Sequence, residues 1–149
     1  MTERDGGQRD RGRPARLPGP MIMVDTSAWT EYLRGTGSGT HFRLRELLAA
    51  DAVLATTDVV HMELLAGAQD EHDDVQLRRM LAALEHVPVD PLDWEVAARL
   101  HRACARQGEA VRSLSDCLVA AVAIRVQAPV LAHDREFVVL ARLTDLELA

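Results

Sequence analysis

Four acidic residues stand at places where acids are unusual. The stretch "MIMV", Met21 to Val24, reads as a buried strand that ends on Asp25, and "TSAWTEYLRG" then opens as a helix. "PVLAHD" repeats the arrangement and ends on Asp134, while Asp116 begins "SDCLVAAVAIRVQ", the most apolar helical stretch in the chain. Glu63 lies inside the helical stretch "TTDVVHMELLAGA". At about 100° per residue its wheel neighbours are Val59, Val60, Ala66 and Gly67, so it projects from an apolar stripe. Taken singly, each acid has an ordinary explanation. Asp25, Asp116 and Asp134 suit helix N-caps or first turns, and Glu63 would pair with an arginine such as Arg112. Taken together they point elsewhere. In a parallel sheet the strand ends converge on one edge, and helices starting there aim their N-termini at the same crevice. Carboxylates gathered in that way repel one another, which asks for a cation. Oxygen-only ligation selects Mg²⁺ or Mn²⁺ over zinc. Such ions serve phosphate-ester chemistry by activating water and offsetting the charge that develops on the phosphoryl oxygens.

The elements that must position these acids alternate. After the first strand and helix, Gly35 acts as a helix stop, "GTGSG" as a flexible turn, and "HFRLRELLAA" as a second helix. "AVLA" is a short buried strand, "TTDVVHMELLAGA" a helix capped by Thr56, Thr57 or Asp58, and "DDVQLRRMLAALEH" a helix with an acidic start. "VPVD" is expected as a further strand, followed by the helix "PLDWEVAARLHRACARQG" with Pro near its first turn and Gly108 at its end. The buried helix that Asp116 opens, the strand "PVLAHD", the helix "REFVVLAR" and an edge strand in "TDLELA" complete the pattern. Strands alternating with helices over short connections predict an α/β domain with a mainly parallel sheet.

Composition narrows the function. The chain has 149 residues and is 48% apolar, enough for one domain with a real core. Residues 1–20 are rich in Arg, Gly and Pro and lack the apolar segment of a signal peptide; they are expected to be a disordered leader ahead of a domain over 21–149. Net charge is −6, and those twenty residues hold five Arg against three acids, so the remainder carries −8. That balance argues against simple electrostatic nucleic-acid binding. All seventeen basic residues are Arg, which removes every mechanism that needs a lysine. Cys104 and Cys117 fall in apolar helical patterns and read as reduced core residues. Of the six histidines only His133 adjoins a candidate acid, and it is read as a supporting residue.

The stretches "MVDTSAWTEYL", "HMELLAGA", "VRSLSDCLVAAVAI" and "VLAHDREF" resemble, in this order, the motifs of PIN domains, and specifically of VapC-type toxins of bacterial type II toxin–antitoxin pairs. The resemblance runs from Met21 to the C-terminus. It implies a three-layer α/β/α fold and a Mg²⁺- or Mn²⁺-dependent endoribonuclease. It also implies Asp25, Glu63, Asp116 and Asp134 as the acidic set, with Asp25 and Asp116 the first choice of metal ligands. Ser27 matches the family's hydroxyl after the first Asp and is expected to order a ligand or water. Arg112, four residues before Asp116, matches a basic residue common in the subgroup, with a role on a substrate phosphate or in orienting a carboxylate. Asp134 stands where the family varies more than at the other three. The implied partners are RNA, a VapB-like antitoxin and a second copy of the chain, in the cytoplasm and without a membrane. Trp29, Tyr32, Leu33, Phe42, Leu47 and Leu48 crowd the first two helices, and some of them are expected to form a groove for an antitoxin helix.

Rival classes fit less well. A receiver-type signalling domain needs a lysine, and a haloacid-dehalogenase-type phosphatase needs an Asp where Ser27 stands. "GTGSG" follows a helix rather than a strand and lacks a P-loop lysine. The alternative that keeps the fold is a catalytically silent PIN module acting as a scaffold or binding subunit.

Overall fold

Strand β1 (Ile22–Val24) runs through the middle of a parallel sheet with β2 (Leu54–Thr57), β3 (Glu85–Val87) and β4 (Val130–Leu131), in the order β3-β2-β1-β4. The structure is a computed structural model that describes residues 20–149. The leader expected over residues 1–20 therefore lies outside the described residues, Pro20 apart. Among the described residues seven helices flank the sheet in an α/β/α arrangement: α1 (Thr26–Arg34), α2 (Gly39–Ala49), α3 (Asp58–Ala66), α4 (Glu71–Ala82), α5 (Pro91–Arg106), α6 (Leu114–Arg125) and α7 (Arg135–Leu143). All three residues of β1 are buried, as a parallel strand covered on both faces requires.

The order of strands decides where the site lies. The chain passes from β1 to β2 to β3 in one direction and then returns to place β4 on the other side of β1. Between β1 and β4 the direction of winding reverses, and the crevice outside the strand ends at such a reversal is where open α/β sheets bind ligands. Register fixes the edge, since Val24 lies opposite Leu131 and the Asp25 amide donates to the Leu131 carbonyl at 2.9 Å. Asp25 and the start of α7 thus share one rim of the sheet.

Helix α6 positions the third acid and anchors the core. Its residues Asp116 to Ala123 are all buried, consistent with a stretch apolar on every side. Its far end is pinned to α5. Arg125 donates through Nε and Nη2 to the buried Asp93 carboxylate and through Nη2 to the Pro88 carbonyl. Asp93 also closes a capping box with Asp90. Cys104 and Cys117 are free and buried, as expected of core thiols. Among the described residues no helix is long and apolar enough to cross a membrane.

Several boundaries differ from expectation. The second strand is Leu54–Thr57 rather than "AVLA", so Thr56 and Thr57 belong to the strand and α3 begins at Asp58. The third strand is Glu85–Val87 rather than "VPVD", and α4 stops at Ala82. As an edge strand it needs no apolar run, and Pro88 has no N–H to continue the ladder, so the strand ends before it. Val89 turns its N–H to the Asp58 carboxylate instead, at 2.8 Å. The glycine-rich turn is shorter than its sequence suggests, because Ser38 caps α2 by accepting the His41 amide and draws Gly39 into the helix. Gly35, at φ 60°, closes α1 in the left-handed conformation that glycine adopts without strain. "TDLELA" contributes a single bridge, Leu148 beside Val130, rather than a full strand.

Candidate active site

Asp25 is the N-cap of α1, and the cap geometry aims it. The Ser27 amide at 3.0 Å and the Ser27 hydroxyl at 2.5 Å both donate to Oδ2. Ser27 Oγ in turn accepts the His133 amide at 2.9 Å, so one hydroxyl ties the end of β1 to the turn before α7. Capping and a chemical role are compatible here, because both of these hydrogen bonds fall on one carboxylate oxygen. Asp25 is only 3% exposed. Loss of water raises its pKa, the Ser27 hydrogen bonds partly offset this, and the nearby Asp134 charge raises it further.

Asp116 sits in the first turn of α6, where its amide donates to the hydroxyl of the N-cap Ser113 at 3.1 Å. Its carboxyl is pushed up to about 8. Burial is the largest cause, followed by the charge on Asp25, hydrogen bonding with Glu136, and the charge and hydrogen bonding of Asp134. Burial and its acidic neighbours thus favour the protonated form of Asp116. Asp134 is exposed and caps α7 by accepting the Glu136 amide at 3.0 Å. The carboxylates of Asp116, Asp134 and Glu136 each offer an oxygen within 4.8 Å of the others.

Glu63 approaches from the other side. It is half-buried on α3, accepts the Thr26 hydroxyl at 3.2 Å, and has its pKa raised by burial and by the Asp25 charge. It joins the group through Asp25 and Thr26, and it is not part of the tight trio. The arginine pairing considered for it is not formed: Arg112 is exposed, and its guanidinium has no hydrogen-bond or ion-pair partner among the described residues. His133 bridges the rim, with Nδ1 at 3.0 Å from the Thr40 hydroxyl and Nε2 at 3.6 Å from Glu31.

Of the residues singled out from sequence, the fold thus gathers Asp25, Asp116 and Asp134, brings Glu63 to their flank, and sets Ser27 against Asp25. Sequence reading missed Glu136. A second acid in the first turn behind an Asp cap looks like a complement to the helix dipole, and its long-range partners leave no local mark. The donor set fits a hard divalent cation: it is oxygen-only, it gathers several carboxylates, and the pKa of one member is raised by burial and by the neighbouring acids.

This is the fold of a PIN domain, and the PIN-domain family profile matches residues 22–143. Over 131 residues the chain is 44% identical to ribonuclease VapC11 of Mycobacterium tuberculosis, covering 87% of this chain and 98% of that protein. The chain belongs to the VapC ribonucleases of the PIN-domain family. Among solved structures it resembles VapBC-5 of Mycobacterium tuberculosis, a member of the VapBC family of toxin–antitoxin systems, with a TM-score of 0.60 and 26% identity over 87% of this chain and 98% of that one. It also resembles VapBC2 of Rickettsia felis bound to a promoter DNA fragment, with a TM-score of 0.69 and 20% identity over 87% and 97%; at that identity the likeness is one of fold.

Proposed function

We propose that this chain is a Mg²⁺- or Mn²⁺-dependent endoribonuclease toxin, held in check by a VapB-like antitoxin. The observation that carries the metal dependence is the meeting of Asp116 and Asp134 oxygens within 4.8 Å beside the buried Asp25. Asp25 and Asp116 would hold the ion, with Glu63 and Asp134 completing the acidic set. A bound divalent cation supplies activation of water and neutralisation of charge on the phosphoryl oxygens. Asp25 is aimed by Ser27, whose hydrogen bonds partly offset the upward push of burial on its pKa. A cation held there would offset the burial and the neighbouring acids that raise the Asp116 pKa. Arg112, exposed beside the acids, meets a substrate phosphate.

A surface groove supports a seat for the antitoxin. A groove of about 640 Å³ runs between α1, α3 and α4, with Tyr32, Leu33, Leu64, Leu77 and Met80 on its walls and Thr26 and Glu63 at its site end. Of the six side chains singled out from sequence, Trp29 and Leu47 are core, Tyr32 and Leu33 line this groove, and Phe42 and Leu48 are exposed outside it. An amphipathic helix laid in the groove would cover the site. The proposal also includes a homodimer and a cytoplasmic setting, in keeping with two reduced cysteines.

The test is cleavage of RNA by the purified chain with EDTA, Mg²⁺ or Mn²⁺. We expect activity with the metals alone, 5′-phosphate and 3′-hydroxyl ends, and none of it in Asp25→Ala. Cyclic-phosphate ends or activity in EDTA would overturn the carboxylate site. Absence of Mn²⁺ binding by calorimetry would favour the silent scaffold. A small neighbouring gene product that neither copurifies nor suppresses toxicity would count against the toxin assignment.

A further inference from the structure

Glu136 does something other than join the trio. Its Oε1 accepts the Arg112 amide at 2.8 Å and its Oε2 the Ser113 amide at 3.1 Å, across 24 and 23 residues of sequence. Those two amides belong to the turn from which α6 starts. Ser113 is the N-cap of α6, and its hydroxyl receives the amide of Asp116. Besides the direct approach of the two carboxyls, a second connection runs from the Glu136 carboxylate through the Ser113 backbone and hydroxyl to the residue that carries the Asp116 carboxyl. At its other end Glu136 is held by its own amide on Asp134 and by Phe137, which is 1% exposed in the core. A carboxylate with both oxygens on main-chain N–H groups of one turn is a clamp of fixed length. Gln in its place would present an NH₂ to one of the two donors, and Ala would release both.

We propose that Glu136 is a positioning residue for Asp116: it locks the N-terminus of α6 to that of α7 and so sets the third acid against the first and fourth. The inference rests on the nuclease reading of the cluster for its kinetic consequence, but not for its structural one. It also separates Glu136 from the residues that would hold the ion, although its oxygens lie near enough to be mistaken for ligands.

Hydrogen exchange and kinetics on the full chain test it. The Arg112 and Ser113 amides should exchange at least tenfold more slowly in wild type than in Glu136→Ala, both in EDTA and at saturating Mg²⁺. kcat should fall at least tenfold in Glu136→Ala and by less in Glu136→Gln, with KM within threefold, at a temperature where all three are folded. If the Ala variant does not fold, Glu136→Gln carries both measurements with the same directions and smaller effects. Exposure of the two amides on adding Mg²⁺ would make Glu136 a ligand and overturn the clamp. An unchanged kcat in a folded variant, even one with a lowered melting temperature, would reduce Glu136 to a stability contact. A wild type without metal-dependent cleavage would sink the nuclease reading instead, and the EDTA exchange data would still judge the clamp.

Discussion

Asp116 is where charge and stability meet. In the metal-free folded protein its carboxyl titrates near 8, against 3.8 for the ordinary group. Between those values the folded state binds a proton that the unfolded state has lost, so stability falls as pH rises across this window and levels off above about 8. The contribution is thus largest in acid and gone once the folded group ionises. Asp116→Asn removes the slope. In EDTA we expect the wild-type melting temperature to decline between pH 5 and pH 8, and that of Asp116→Asn to stay flatter and to match or exceed wild type at pH 8, with cleavage abolished. Mn²⁺ stabilises only the folded state and must displace the Asp116 proton, so it should raise the wild-type melting temperature more at pH 8 than at pH 6, and the variant's by less at either. If Asp116 acted only on the helix dipole, its neutral variant would melt lower at pH 8 and respond to Mn²⁺ as wild type does. Melting curves of both proteins at two pH values separate the cases. Asp116, like Asp25 and Asp134, was legible in sequence because its signal is local: an acid at the first turn of a helix, or where an apolar strand gives way to one. Glu136 was not, because its meaning lies in two amides more than twenty residues away.

At the scale of elements, the same distinction explains which boundaries could be read. The buried strand β1, the capped helix α1 and the all-round apolar α6 follow from period and punctuation. The exposed edge strand β3 carries no alternation, so its place was set by pairing, Thr56 beside His86, rather than by its own residues. The join of α5 to α6 was also hidden. Asp93 looks like a first-turn acid, yet it is buried and bound by Arg125 from the far end of α6. Removing that guanidinium strands a buried carboxylate. The Arg125 side chain is 38% exposed, so we expect Arg125→Ala to cost about 2–3 kcal/mol by urea denaturation, somewhat less than the loss of a fully buried pair. kcat well below the melting temperature should hold, because Arg125 lies at the opposite end of α6 from Asp116. A cost below about 0.5 kcal/mol would mean that water replaces the arginine without penalty.

For the molecule as a whole, charge sets the terms of substrate binding. A chain of net charge −6 must hold a polyanion, and several of its arginines are already engaged: Arg78 with Asp74, Arg99 with Glu95, Arg125 with Asp93 and Arg142 with Glu109. Arg112 is different. It stands exposed next to the acids, its backbone is held by Glu136, and its guanidinium has no partner among the described residues. Few phosphate contacts mean a shallow salt dependence, since each contact to a single strand contributes a slope of about 0.7 in log affinity against log salt. Arg112→Ala should raise KM several-fold, leave kcat within about twofold, and reduce the slope of log KM against log[KCl] by roughly 0.7 at fixed Mg²⁺. The other role open to Arg112 from sequence, orienting a carboxylate, gives the reverse: kcat falls, KM and the salt slope hold, and the Mn²⁺ affinity weakens. Measuring both constants at four KCl concentrations decides between them. An unchanged slope with a lowered kcat would move Arg112 from the substrate to the acids.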